Sequence, residues 1–224
     1  KGSNCIVHTS ERKKITIFAQ KKLMMDDNAM QKLSYGLFVV TAHEGGKDNG
    51  CITNTVSQVT IKPNRITLAV DKSNYTHDMI VRTGEFNVSI LSEDASFDTF
   101  KHWGFQSGRT IDKAAGIEFS RADNGVIYIT SGVNAVLCAK VDNTIDLGTH
   151  SLFIASVEEA FCLNETPSAT YTYYHEHIKP APEKPKKKGW ICVICGYIYE
   201  GEILPEDYIC PLCKHPASDF KPLE

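Results

Sequence analysis

The chain has 224 residues, 42% of them hydrophobic, with 24 Lys and Arg against 27 Asp and Glu for a formal charge of −3. That length holds one full-sized domain and a small second module, and the slightly acidic balance gives no support for nucleic-acid binding. No run approaches the roughly 18 apolar residues of a membrane-crossing helix and no signal-peptide core opens the chain, so no membrane partner is expected.

Residues 1–25 read as an N-terminal extension whose origin the sequence leaves open. Residues 1–23 hold six Lys or Arg and one Glu, begin without methionine and precede Met24-Met25, a plausible natural start. An expression remnant, a mis-assigned start and a basic leader all fit this pattern, and the segment stays outside the fold argument. The body, residues 26–177, reads as mainly β with some helix. Short β-rich runs bounded by turn formers occur at 36–42, 65–70, 86–91, 135–141 and 152–157. Gly45-Gly-Lys-Asp-Asn-Gly50 predicts a hairpin connection. Helices are predicted near 26–33, where Asp26 or Asp27 can cap, and near 74–83, where Asn74 or Thr76 can cap. Many short strands with interspersed helices predict a barrel.

Residues 178–188 contain three prolines and five lysines without apolar periodicity. Such a segment is a semi-rigid linker that spans about 30 Å at about 3.1 Å per residue. Residues 189–224 follow as a small module with two lysines against six carboxylates, a net −4 before any metal. An acidic module of this kind is expected to dock on a basic surface of a redox partner.

That module carries Cys192-Val-Ile-Cys195 and Cys210-Pro-Leu-Cys213. Two C-x-x-C pairs can fold into facing chelating loops, and four thiolates make a tetrahedral sulfur site suited to iron or zinc. Gly196 follows the second cysteine, where freedom to take positive φ lets backbone N–H groups turn toward the sulfurs. Trp190, Tyr197, Tyr199, Tyr208 and Phe220 can pack around them and exclude water. The stretch from Trp190 through Tyr199, then Pro205-Glu-Asp-Tyr-Ile-Cys-Pro-Leu-Cys213 and Ser218-Asp-Phe220, resembles rubredoxin. The resemblance implies one iron held by Cys192, Cys195, Cys210 and Cys213. One departure is Lys214-His215, where the family usually has glycine. A structural zinc ribbon is the alternative. The remaining cysteines, Cys5, Cys51, Cys138 and Cys162, show no motif spacing; with a thiolate site they favour a reducing, cytoplasmic setting.

The body has neither a G-x-G-x-x-G after a strand nor a Walker A sequence. Instead, Asn49-Gly-Cys-Ile-Thr-Asn-Thr-Val-Ser-Gln-Val-Thr-Ile-Lys-Pro63, Asp71-Lys-Ser-Asn-Tyr-Thr-His77, Gly84-Glu-Phe-Asn-Val-Ser-Ile-Leu91, Gly104-Phe-Gln-Ser-Gly-Arg109 and Gly148-Thr-His-Ser-Leu-Phe153 together resemble the flavin reductase family. The resemblance implies an FMN-binding split β-barrel that works as a homodimer. Thr53, Asn54, Thr55 and Gln58 match the family's contacts to the flavin ring and ribityl chain. Lys72, Asn74 and Thr76 match the region near the phosphate, with Ser107 and Arg109 as further phosphate candidates. Arg109 suits bidentate contact. His150, in the family's late-strand G-x-H, is a candidate for binding or orienting the hydride donor, and Tyr171, Tyr173 and Tyr174 are candidates for stacking on the flavin or covering the barrel mouth.

A flavin reductase-like barrel followed by a rubredoxin-like module resembles the high-molecular-weight rubredoxins. That resemblance implies NADH- or NADPH-dependent transfer through FMN and iron to a redox partner such as a flavodiiron oxygen or nitric oxide reductase. Two other readings stand beside it: an NAD(P)H:flavin oxidoreductase that releases reduced flavin, and a binding protein bearing a zinc ribbon.

Overall fold

A computed structural model describes residues 27–30, 32–180 and 189–223. The expected 1–25 extension and the linker beyond Pro180 lie outside the described residues. Helix α1 (Asp27–Met30) falls within the stretch expected to be helical.

In chain order the strands of the body are β1 (Phe38–Glu44), β2 (Lys47–Thr53), β3 (Ser57–Ile61), β4 (Asn64–Asp71), β5 (Glu85–Leu91), β6 (Phe119–Arg121), β7 (Ile127–Ile129), β8 (Val133–Asp146) and β9 (His150–Cys162). Seven of them form one sheet in the order β2-β1-β5-β8-β9-β4-β3, and β6 and β7 pair separately. Every neighbouring pair in the large sheet is antiparallel. Bulges at Glu158 of β9 and Asp142 of β8 let that long hairpin bend.

The apolar run of β1 does not alternate because both its faces are buried. Phe38, Val40 and Ala42 enter one core with Leu68, Val70, Phe86, Val88 and Phe153. Leu37 and Val39 enter a second core with Phe100, Trp103, Ile127, Val133 and Val136. Helix α2 (Tyr75–Thr83) closes the first core with Met79 and Ile80. Helix α3 (Phe97–Gly104) closes the second with Phe100 and Trp103. Each of these large side chains contributes about 1.5–3 kcal/mol on leaving water, so the two helices are held by tertiary burial. Local chemistry sets their ends. The Asn74 side chain accepts from the Thr76 N–H and Gly84 takes φ 71° after the last turn of α2, while Ser96 caps α3 by accepting from the Thr99 N–H.

Three expectations change. The hairpin connection expected over 45–50 is only Gly45-Gly46, both at positive φ as a type I′ turn requires, and Lys47 already belongs to β2. Strands β8 and β9 run to 14 and 13 residues, beyond the apolar segments at 135–141 and 152–157. Ile178, expected in the linker, ends a wide helical turn, Tyr174–Ile178, that continues the short helix α4 (Tyr171–Tyr173).

The C-terminal module has strands β10 (Trp190–Cys192), β11 (Ile198–Tyr199) and β12 (Phe220–Pro222) in the order β11-β10-β12. Its small core is Cys192, Cys195, Cys210 and Phe220, ringed by Trp190, Tyr197, Tyr199 and Tyr208. Among the described residues no helix is long and apolar enough to cross a membrane.

Candidate functional site

The metal site is built from two matching loops. In the first, the Gly196 N–H donates to the Cys192 carbonyl and the Cys192 N–H to the Tyr197 carbonyl, each at 2.8 Å. In the second, the Lys214 N–H donates to the Cys210 carbonyl at 2.9 Å and the Cys210 N–H to the His215 carbonyl at 2.8 Å. The loops bring the four Sγ atoms within 4.8 Å of one another. Burial pushes the Cys195 thiol up to about 11 and the Cys213 thiol higher still. Cys210 is desolvated too, yet N–H groups of Cys213 and Leu212 hold it below the ordinary thiol value. Four thiolates this close, largely out of water, require a cation between them, and a four-sulfur donor set fits iron. Lys214 answers the departure seen in the sequence. It adopts φ 63°, as Gly196 does at φ 80°, and the His215 N–H opposes the upward push that burial gives the Cys213 thiol.

A second cluster forms at one end of the large sheet. Asp71 of β4 pairs in register with His150 of β9. The Thr53 and Thr55 hydroxyls are 2.6 Å apart, and Thr55 donates to the Ala69 carbonyl at 2.6 Å, fixing the turn after β2 onto β4. Asn54 between them is half-buried. Asn74 caps α2, while the fully buried Thr76 hydroxyl accepts from Asn49 Nδ2 at 2.9 Å. His150 is 42% exposed, bonds Thr149 Oγ1 at 2.9 Å and stands 4.0 Å from the Asp71 carboxylate.

The cations expected at a phosphate carry carboxylate partners. Lys72 Nζ bonds Asp146 at 2.6 Å and Arg109 bonds Asp78 at 2.6 Å. The Ser107 hydroxyl accepts the Arg109 N–H at 3.3 Å. Asp78 is held below the usual carboxylate range by Arg109 and then His77. Gln58 stands apart. It pairs in register with Ile66, five residues along β4 from Asp71 and so about 16 Å away. There it lines a groove of about 360 Å³ with Phe38, Val56, Ile66, Ile90, Leu137 and Val157. An apolar groove of this size with a few polar edges, beginning at Val56 next to Thr55, fits a flavin ring. Tyr171, Tyr173 and Tyr174 pack instead on local neighbours: Tyr35, His177 and Phe100 respectively.

Several residues here gave no sequence signal. Lys47 Nζ donates to the Gly108 carbonyl at 2.7 Å, and it and Arg109 both lie 4.9 Å from the Tyr75 ring centre. His77 is buried, with Nε2 2.8 Å from Ser151 Oγ. Asp48 lies under a two-pronged Arg121 contact at 3.0 and 2.7 Å. Only the pairing of β2 with β1 and the return of the 105–121 segment bring such residues together, so no local spacing announces them.

The flavin reductase like domain family matches residues 30–182, and the rubrerythrin, rubredoxin-like domain family matches residues 190–221. High molecular weight rubredoxin of Moorella thermoacetica is 35% identical over 219 residues, covering 84% of this chain and 96% of that protein. The chain belongs to the high-molecular-weight rubredoxins. It is an oxidoreductase, and its two domains imply a flavin and an iron held by four cysteines. Ferric-chelate reductase (NAD(P)H) of Archaeoglobus fulgidus is 36% identical over 151 residues, 67% of this chain and 89% of that protein. Among solved structures, Streptomyces globisporus C-1027 NADH:FAD oxidoreductase SgcE6 superposes with a TM-score of 0.58 at 17% identity, covering 75% of this chain and 93% of that one. This last likeness concerns the fold of a high-molecular-weight rubredoxin barrel and not its chemistry.

Proposed function

We propose that the protein takes hydride from NADH or NADPH onto FMN and delivers the electrons singly, through its iron, to a redox partner protein. The observation that carries this is the joining, in one chain, of a flavin reductase-like barrel and a four-sulfur centre. When bound, FMN accepts an electron pair and releases it one electron at a time, and a single sulfur-ligated iron takes one. Thr53, Asn54 and Thr55 offer half-buried polar groups at the mouth of the groove whose far rim carries Gln58. Lys72, Asn74, Thr76, Ser107 and Arg109 surround the start of α2 and hold the phosphate, with Lys72 and Arg109 exchanging their carboxylate partners for it. His150, exposed beside Asp71, orients the nicotinamide. Cys192, Cys195, Cys210 and Cys213 hold the iron.

The partner is a flavodiiron protein that reduces oxygen or nitric oxide, met through the acidic metal module. The protein works as a homodimer: β3 is exposed along its whole length, and Val59, Ile61, Ile145 and Leu147 present apolar side chains that are 49%, 72%, 41% and 54% exposed. The domain division follows function, with barrel residues 26–177 and iron module 189–224. The deciding experiment is anaerobic stopped-flow spectroscopy of protein with measured flavin and iron content. Near-equal FMN and iron, with flavin reduction followed by iron reduction, is the expected result. Zinc alone after iron-supplemented expression, or full delivery to the partner by protein truncated after Lys188, refutes it; the second outcome favours release of free reduced flavin.

A further inference from the structure

Phe105 sits where two parts of the proposed electron route meet. It closes α3, its N–H bonding the Lys101 carbonyl at 3.1 Å and its ring meeting Phe97 edge-on at 6.1 Å. The ring is only partly buried by its own helix, and it packs against the cluster of four cysteines. A lysine just beyond the barrel's last helical turn reaches the module as well. Lys179 Nζ donates to the Ile194 carbonyl at 3.4 Å, inside the first C-x-x-C loop. Tyr174, 7% exposed, anchors that lysine: its carbonyl accepts the Lys179 N–H at 2.7 Å, and its ring is tilted 34° against Phe100 of α3 with 4.3 Å between centres. The second loop is the more open by a small margin: Leu212 is 47% exposed against 43% and 41% for Val193 and Ile194 of the first, and Cys213 is the least buried of the four cysteines.

On its barrel side this seat adjoins the end of β2. Gly104, immediately before Phe105, backs onto Ile52 so closely that an added Cβ would stand 3.8 Å from the Ile52 Cβ. Thr53 is the next residue along. We infer that Phe105 is a positioning residue that seats the metal module on the barrel, in the same chain and by its first loop, beside the strand end that carries Thr53 and Thr55. This rests on the function proposed above. An apolar ring at the centre, with a lysine on a peptide carbonyl at the edge, makes a contact that ionic strength disturbs little. It also leaves the acidic surface and the second loop free for the external acceptor. Electron transfer weakens steeply with separation, so the seat acts by holding the two centres close.

The test uses the full-length holoprotein with a benzophenone amino acid at position 105. Irradiation is expected to join position 105 to a peptide within 190–197 of the same chain. Products linked only between chains, or none to residues 190–213, overturn the inference. In stopped flow, Phe105→Asp is expected to slow iron reduction about tenfold, the factor that about 1.4 kcal/mol of lost docking gives. The rate of flavin reduction and the resting iron spectrum stay unchanged, and Phe105→Leu restores transfer. Equal iron-reduction rates in the Asp variant and the wild type overturn the inference even where the crosslink forms. A wild-type protein that reduces its flavin but never its iron instead defeats the proposed function.

Discussion

Lys113 gives the sharpest quantitative prediction. It is 3% exposed, and its Nζ donates to the Gly50 carbonyl at 2.8 Å and to the Trp103 carbonyl at 2.9 Å. Burial lowers its pKa from 10.5 to about 8, with the neighbouring Cys51 sulfur opposing the shift. The Cys51 thiol is itself pushed up by burial, so it supplies no compensating anion near neutral pH. At about 1.36 kcal/mol per pH unit, holding the ammonium in the folded barrel costs about 3 kcal/mol. The sign follows from the direction. Between pH 8 and 10.5 the unfolded chain binds more protons at this residue than the folded one, so stability rises with pH across that window. Below pH 8 the full cost is present, and above 10.5 it is gone. Urea unfolding of wild type and Lys113→Met at intervals from pH 7 to pH 11 isolates the residue, because other titrations cancel in the difference. The difference is expected to shift toward the wild type by about 3 kcal/mol across this range. A difference that is flat with pH refutes the reasoning and means the ammonium is as well solvated by its two carbonyls as by water.

Four further outcomes are expected. Cys195→Ser abolishes the visible iron spectrum while leaving flavin reduction by NAD(P)H within about twofold, read by metal analysis and stopped flow, since the barrel core shares no residue with the metal site. Arg109→Ala weakens FMN retention by about tenfold, about 1.4 kcal/mol, in equilibrium dialysis without altering iron content; unchanged affinity would restrict Arg109 to its Asp78 ion pair. Gly50→Ala lowers barrel stability by about 1–3 kcal/mol in urea titration, because the added Cβ would meet the Val40 carbonyl oxygen and the Trp103 ring at 2.8 Å. Lys214→Gly slows thermal iron loss, since a left-handed conformation costs a non-glycine residue about 1–2 kcal/mol.

The metal site was legible because its chemistry is local. Each pair of sulfurs comes from one four-residue loop, and the only long-range condition is that the loops face one another. The strands with apolar runs were legible too, for β1, β4 and β5 are dense in β-branched and aromatic residues. Strand β2 was not. Its Lys-Asp-Asn-Gly start reads as a turn, and it becomes a strand because Asp48 is satisfied by Arg121 and the Asn49 amide N–H by Thr76, residues 73 and 27 positions away. Helix α3 carries its signal locally: a Ser96 cap followed by Phe97, Phe100 and Trp103 on a three-residue spacing. The candidate flavin residues lie between these cases. Their order was visible, but the separation of Gln58 from His150 along β4 depends on sheet register.

The buried lysine and the seat for the metal module are mechanically one arrangement. Lys113 ties the Gly50 carbonyl of β2 to the Trp103 carbonyl of α3, and Phe105 lies two residues beyond Trp103. Whatever shifts this strut therefore shifts the end of α3 relative to Ile52 and Thr53, which is the distance the two redox centres have to share. A shorter apolar residue at 113 leaves two buried carbonyls without a donor, at about 1–3 kcal/mol each, and frees the end of α3 to move. Lys113→Met should accordingly slow iron reduction while sparing flavin reduction, although it touches neither cofactor. Lys113→Arg, which keeps donors for both carbonyls, should recover part of the rate. If Met and Arg at 113 leave iron reduction equally fast, the strut is a matter of stability alone and the position of α3 does not govern transfer.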